Sequence, residues 1–155
     1  MEPEIKSASG QDDQDEYIDE YYMAYATNLN IRRMHMLCPH ARLVETFLLP
    51  DYRLAFRGPK PGSSYLTLLH SAGSSVPVAL WKVSVKDKES LDQAVQLKSG
   101  LYELVAIVVG HQPCFTYLLH PHYPYVKPSE NYVECVKEGY KDMGFDKLHI
   151  KCAYE

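Results

Sequence analysis

The chain has 155 residues, 46% of them hydrophobic and 23% charged, and a formal net charge of −4. That is one domain's worth of sequence at near-average globular composition, which excludes a collagen-like repeat, a coiled-coil rod and wholesale disorder. Its longest apolar runs, such as 101–110, fall far short of the roughly twenty residues a membrane helix needs. Met1–Gly10 carries Glu2 and Glu4 and no apolar run, so no secretory leader is expected.

The charge is unevenly spread. Residues 1–20 hold eight acids (Glu2, Glu4, Asp12, Asp13, Asp15, Glu16, Asp19, Glu20) against Lys6, a balance of −7 that leaves +3 for the remainder. An acidic segment without a hydrophobic period cannot offset its own ordering entropy, so residues 1–19 read as an acidic disordered tail and 20–155 as a single domain.

From Tyr21 the run Tyr-Tyr-Met-Ala-Tyr suits a buried strand. After Ala26-Thr27-Asn28, either Asn28 or Asn30 can cap a short helix from Ile31 to Cys38, which Pro39 ends. Strand-like stretches follow at 43–48, 52–56, 65–70 and 76–84. Turn signals separate them at Pro50-Asp51, at Gly58 to Gly62, and at Ala72-Gly73-Ser74, so the segment reads as an antiparallel meander. Residues 86–96 carry Leu91, Ala94 and Val95 on one helical face. Two more strands are expected at 101–109 and 114–119, then a tyrosine-containing loop at 121–128. A helix over 130–143 is capped by Ser129 and stopped by Gly144, and a last short helix is expected over 146–153. Many short strands with a few helices between them imply an α+β domain: a small mixed, barrel-like β-sheet with flanking helices and a pocket at one rim.

Several site chemistries are disfavoured. Cys38, Cys114, Cys135 and Cys152 form no C-x-x-C pair, which argues against a zinc knuckle or a dithiol redox site and fits a reduced, cytoplasmic chain. His120 and His122 lack a companion ligand at metal-site spacing, so no metal and no cofactor are expected. Cys38 beside His40, and Cys114 beside His111, read as coincidental neighbours rather than nucleophile pairs. The arginines 32, 33, 42, 53 and 57 are scattered among apolar residues, against nucleic-acid binding. Thirteen tyrosines suit a pocket lining or a homo-oligomer contact, being apolar at one end and polar at the other.

The turn from Tyr25 to Leu29 is the strongest local feature. A loop leading into a helix points several unpaired N–H groups one way and can hold a carboxylate or a developing oxyanion; the simpler reading is that Thr27 and Asn28 only cap the helix. Tyr22–Leu29 (YMAYATNL) resembles the Y-G-S-N-L loop of the γ-glutamylcyclotransferase (AIG2-like) family. Further matches follow in order: Cys38-Pro39 and Ala41, the run 49–58 (LPDYRLAFRG), the run 76–83 (VPVALWKV), Leu91-Asp92, and Pro128-Ser129 with Tyr132 and Gly139-Tyr140. The likeness spans about residues 21–146, and the closing G-Y-x-D-x-G-x-D segment (139–146) is similar to the bacterial branch.

The resemblance implies a γ-glutamyl ligand and a chemistry in which the substrate's α-amine attacks its own γ-carbonyl and releases 5-oxoproline. It assigns the oxyanion donors to Tyr25, Ala26, Thr27, Asn28 and Leu29, and sets Tyr132 against the ligand. Ala26 replaces the family glycine, which is tolerable if φ there stays negative. The family's proton carrier is the Glu of L-D-x-x-E-G; here 91–96 is Leu-Asp-Gln-Ala-Val-Gln, so Val95 stands at that position, with Ala94 or Gln96 if the register slips by one. Valine cannot shuttle a proton. Asp92 and Glu103 are the candidates for a relocated acid/base, with Glu103 and Tyr102 on opposite faces of their strand. The expectation is a protein that keeps the ligand pocket with lost or altered catalysis; the alternative is an active enzyme using Glu103 or Asp92.

Overall fold

The structure, a computed structural model, describes residues 20–155; residues 1–19, read above as a tail, lie outside them. In chain order the elements are β1 (Glu20–Ala24), a 3-10 turn (Thr27–Leu29), α1 (Ile31–Leu37), β2 (Arg42–Lys60), β3 (Ser63–Val83) and α2 (Val85–Ala94). A second 3-10 turn (Leu97–Ser99), β4 (Tyr102–Val109), β5 (Gln112–Leu119), α3 (Glu130–Met143), α4 (Leu148–Lys151) and a last 3-10 turn (Cys152–Tyr154) complete the fold.

The sheet is mixed and five-stranded, in the order β2-β3-β1-β5-β4. β1 is antiparallel to β3 and parallel to β5, where Tyr22 pairs with Phe115. The meander expected from the turn signals is corrected here in two ways. The first strand of the chain inserts between β3 and β5, and the four short strands expected over 43–84 are two long ones. Their breaks fall opposite each other: Pro50 pairs with Ser75 and Tyr52 with His70, so the extra residues 71–74 bulge out facing Asp51. Asp51 takes a positive φ of 67° and accepts the Gly73 amide at 3.0 Å, and the ladder resumes on both sides. At the far end the β4–β5 turn comes round to β2, with a Cβ built on Gly110 lying 3.4 Å from the Phe47 ring. The two edges of the sheet therefore curl toward one another, and Trp81, Phe56, Met23 and Leu54 are sealed inside.

Three caps set the helices that matter for the site. Asn30, not Asn28, caps α1, accepting the Arg33 amide at 3.1 Å. Ser84 and Asp87 form a reciprocal capping box at the start of α2. Ser129 accepts the Tyr132 amide at 3.2 Å to open α3, and Gly144 in the left-handed region closes it.

Candidate functional site

β1 delivers its last residues into the 3-10 turn between the sheet and α3, and α3 clamps that turn through one face. Glu138 accepts from Asn30 Nδ2 at 2.7 Å and Asp142 accepts the Ile31 amide at 3.0 Å. Gly139 lies between them. A Cβ there would stand 2.6 Å from the Asn30 nitrogen and 2.8 Å from the Leu29 carbonyl carbon, so only a glycine lets the helix backbone approach the loop this closely.

In front of the loop is a cavity of about 340 Å³, a volume within the ordinary range for small-molecule sites. Tyr25, Ala26, Thr27 and Asn28 line one side, Ala94, Val95 and Gln96 line another, and Tyr132 contributes from α3. Six of the thirteen tyrosines (22, 25, 65, 102, 117 and 132) form much of the remaining wall, so a large share of the tyrosine enrichment goes to this cavity. Leu29 does not line it: fully buried, it points into the core, and its amide closes the 3-10 turn on the Ala26 carbonyl at 3.1 Å. The cavity-facing part of the loop thus ends at Asn28, because three residues per turn carry the next side chain inward.

The polar groups of the loop are largely unspent. The amides of Ala26, Thr27 and Asn28 have no acceptor among the described residues, and neither Thr27 nor Asn28 caps a helix. Ala26 keeps a negative φ of −132°, so its methyl group imposes no left-handed strain. Asn28, 8% exposed, donates through Nδ2 to the Tyr22 hydroxyl at 2.9 Å, while its Oδ1 has no partner. A buried acceptor left open costs about 1–3 kcal/mol, a cost a donor on a bound molecule would relieve. Tyr132 accepts the Leu66 amide at 2.9 Å, which leaves its own O–H without an acceptor among the described residues. Burial raises the Tyr132 and Tyr25 hydroxyls well above the ordinary phenol range and Tyr22 to about 12, so all three stay neutral donors at physiological pH.

No carboxylate lines the cavity among the described residues, and its one fully charged member is Arg33, at the mouth. Val95 occupies the C-terminal end of α2, half-buried, and Ala94 and Gln96 flank it in the same wall, so a one-residue slip in alignment still meets no titratable group. Glu103 is exposed on the outer side of β4 and faces His120 at 3.5 Å, while Tyr102 takes the inward side of the strand. Asp92 lies behind the wall rather than in it: the Tyr117 hydroxyl, which does line the cavity, donates to it at 2.5 Å. Cys135 also reaches the cavity, but burial raises its thiol, and Cys38, in contact with the Asp87 carbonyl, is pushed to about 12. Neither is a thiolate nucleophile at neutral pH. Among the described residues no cluster of His, Cys, Asp and Glu could hold a metal ion, and no helix is long and apolar enough to cross a membrane.

The structure thus joins a mixed five-stranded sheet, a tyrosine-lined cavity and an open-amide turn clamped by a helical glycine. The chain is 30% identical over 134 residues to the γ-glutamylcyclotransferase of Bos taurus, covering 79% of this chain and 71% of that one. It is 29% identical to the Homo sapiens γ-glutamylcyclotransferase over the same length and shares of each chain. A solved structure of a γ-glutamyl cyclotransferase superposes with a TM-score of 0.75 at 26% identity, over 86% of this chain and 85% of that one. No family model matches the chain. On the sequence relatives and the shared fold, the chain belongs to the γ-glutamylcyclotransferase family.

Proposed function

We propose that the protein binds a small γ-glutamyl or similar amino-acid-like anion in the cavity in front of Tyr25–Asn28, in the cytoplasm, with turnover lost or strongly slowed. The observation that carries this reading is the contrast within one cavity. The loop offers open amides and an unpartnered Asn28 Oδ1, a pairing suited to a ligand with both an anionic oxygen and N–H donors. The wall that would have to carry the proton consists of Ala94, Val95 and Gln96. Cyclisation needs a group that takes a proton from the attacking ammonium and returns it to the leaving nitrogen, and losing such a group costs on the order of a hundredfold to ten-thousandfold in rate. Binding, which rests on the loop, has no need of it. The four cysteines are all unpaired, in keeping with a reducing compartment.

Asp92 gives a second reading some support. It accepts from the Tyr117 hydroxyl, so a proton could pass from the substrate to Tyr117 while Tyr117 hands its own to Asp92, and return the same way. Calorimetry with γ-glutamyl-alanine and its α-linked isomer, together with an assay for 5-oxoproline, separates these outcomes. Preference for the γ-linked ligand with little product supports the binding reading, and equal affinity for the two isomers would sink it. Efficient product release that disappears in Asp92→Asn would favour the relay instead.

A further inference from the structure

A groove of about 1060 Å³ runs between α1 and α3, and it shares Arg33, Asn131 and Cys135 with the cavity. The two spaces therefore meet at the cavity mouth. Five cations line the groove (Arg32, Arg33, Lys137, Lys141, Lys147) against two carboxylates, Glu134 and Glu138. Both carboxylates are engaged: Glu138 with Arg32 at 3.6 Å and with Asn30, Glu134 with Lys137 at 4.0 Å. Arg33, Lys141 and Lys147 have no carboxylate partner among the described residues. The lining also includes apolar Leu37 and Met36, whose side chain is left 79% exposed.

We propose that this groove continues the ligand site, and that the ligand is a γ-glutamyl-headed peptide whose acidic residues extend from the cavity along Arg33, Lys141 and Lys147. The inference rests on the γ-glutamyl reading of the cavity and adds the substrate class to it. A γ-glutamyl amino acid would be accommodated by the cavity and its mouth alone, where Arg33 can meet one carboxylate. It leaves the larger groove empty and two further cations unanswered. A chain leaving the cavity past Arg33 meets a lining that combines unpaired cations with the apolar Met36 and Leu37, which suits a peptide with carboxylates among small or apolar side chains. Exposed ion pairs are individually weak and screened by salt, so the expected signature is a modest, additive, salt-sensitive gain in affinity rather than an all-or-none effect.

Three labelled probes test it by fluorescence anisotropy on the full chain: γ-glutamyl-alanine, the same head followed by Asp-Ala-Glu-Asp, and that longer peptide with its first linkage changed from γ to α. At low ionic strength the long γ-linked peptide is expected to bind about tenfold more tightly than the dipeptide, the gain shrinking as salt rises. In Lys141→Gln/Lys147→Gln the gain should largely vanish, while the dipeptide, which does not reach those lysines, binds as before. A long peptide that binds no better than the dipeptide, or a gain that survives the double substitution, overturns the inference and leaves the cavity reading standing. Equal binding of the α-linked and γ-linked long peptides would show that the groove holds acidic peptides independently of the cavity, and would equally overturn it. Failure of the dipeptide itself to bind would instead remove the cavity reading, and this inference with it.

Discussion

On one side of the cavity, residues 25–28 leave a buried strand and are held from behind by α3, and the amides of Ala26, Thr27 and Asn28 and the Asn28 Oδ1 face no partner among the described residues. On the other, residues 94–96 end α2 with side chains that neither titrate nor accept a proton. The two sides belong to different elements with separate anchors: Asn30, Gly139 and Asp142 for the loop, and the Ser84–Asp87 capping box with the buried Leu91 for α2. The ligand binding and the proton transfer of the proposed function would thus rest on separate elements of the fold. A substitution at position 95 leaves the loop's own anchors on α3 in place, because Asn30, Gly139 and Asp142 hold it from another element.

The largest expected effect comes from placing a carboxyl at position 95, where the proposed function lacks one. Val95→Glu sets a carboxyl in a wall of tyrosines and aliphatics, where partial burial favours a proton-exchanging acid, and should raise 5-oxoproline release from γ-glutamyl-alanine by about a hundredfold or more. No gain in that assay would mean the two sides have diverged together rather than one of them alone.

Alkaline pH probes the loop side next. Burial holds Tyr22 protonated up to about 12, whereas in the unfolded chain it ionises near 10. The associated stability is fully present below pH 10 and is lost as pH rises from 10 through 12, with Tyr22 accounting for roughly 2–3 kcal/mol. Urea unfolding between pH 8 and 12 should show this decline, and Tyr22→Phe should make it shallower.

Gly139→Ala tests the clamp. Helix propensity alone would stabilise by about 1 kcal/mol. The new Cβ, however, would sit 2.6 Å from backbone that cannot yield cheaply, and overpacking of that kind costs about 1–3 kcal/mol. A net loss of stability is expected in urea unfolding, together with weaker ligand binding; a stabilised protein would mean the loop moves freely of α3. The smallest effect is expected for Asn28→Ala: about a tenfold loss of affinity for γ-glutamyl-alanine, with unfolding free energy changed by no more than about 1 kcal/mol, since only the bond to Tyr22 is lost in the free protein. Unchanged affinity in calorimetry would take Asn28 out of the site.

Much of this site could be read along the chain because its parts are local. The strand, turn and capped helix from Tyr21 to Leu37 and the Ser129-to-Gly144 helix follow from residues that determine backbone geometry within a few positions. The valine at position 95 is visible as soon as Leu91-Asp92 is placed. Other features were not legible. Leu29 belongs to the core because the 3-10 turn rotates it inward, which a run of five residues does not reveal. Glu103 and Asp92 both stand as candidates in the sequence; strand alternation sets Glu103 opposite Tyr102, but only the fold turns Tyr102 inward and brings Asp92 to the Tyr117 hydroxyl on β5, twenty-five residues away. The bulge shared by Pro50-Asp51 and residues 71–74 read as two turns, because each breaker signals a bend without saying what lies across from it.

Taken alone, the order of residues determined the Ser129 cap and Gly144 stop of α3, the strand-forming runs, a loop that resembles the family's and a valine where the resemblance implies a carboxylate, features that follow from side-chain type and short-range backbone preference. Only the tertiary structure decided that β1 sits between β3 and β5, that six tyrosines converge on one cavity, and that a basic groove opens from its mouth. These depend on which distant surfaces bury each other, and burial is a property of the whole packed chain rather than of any segment of it.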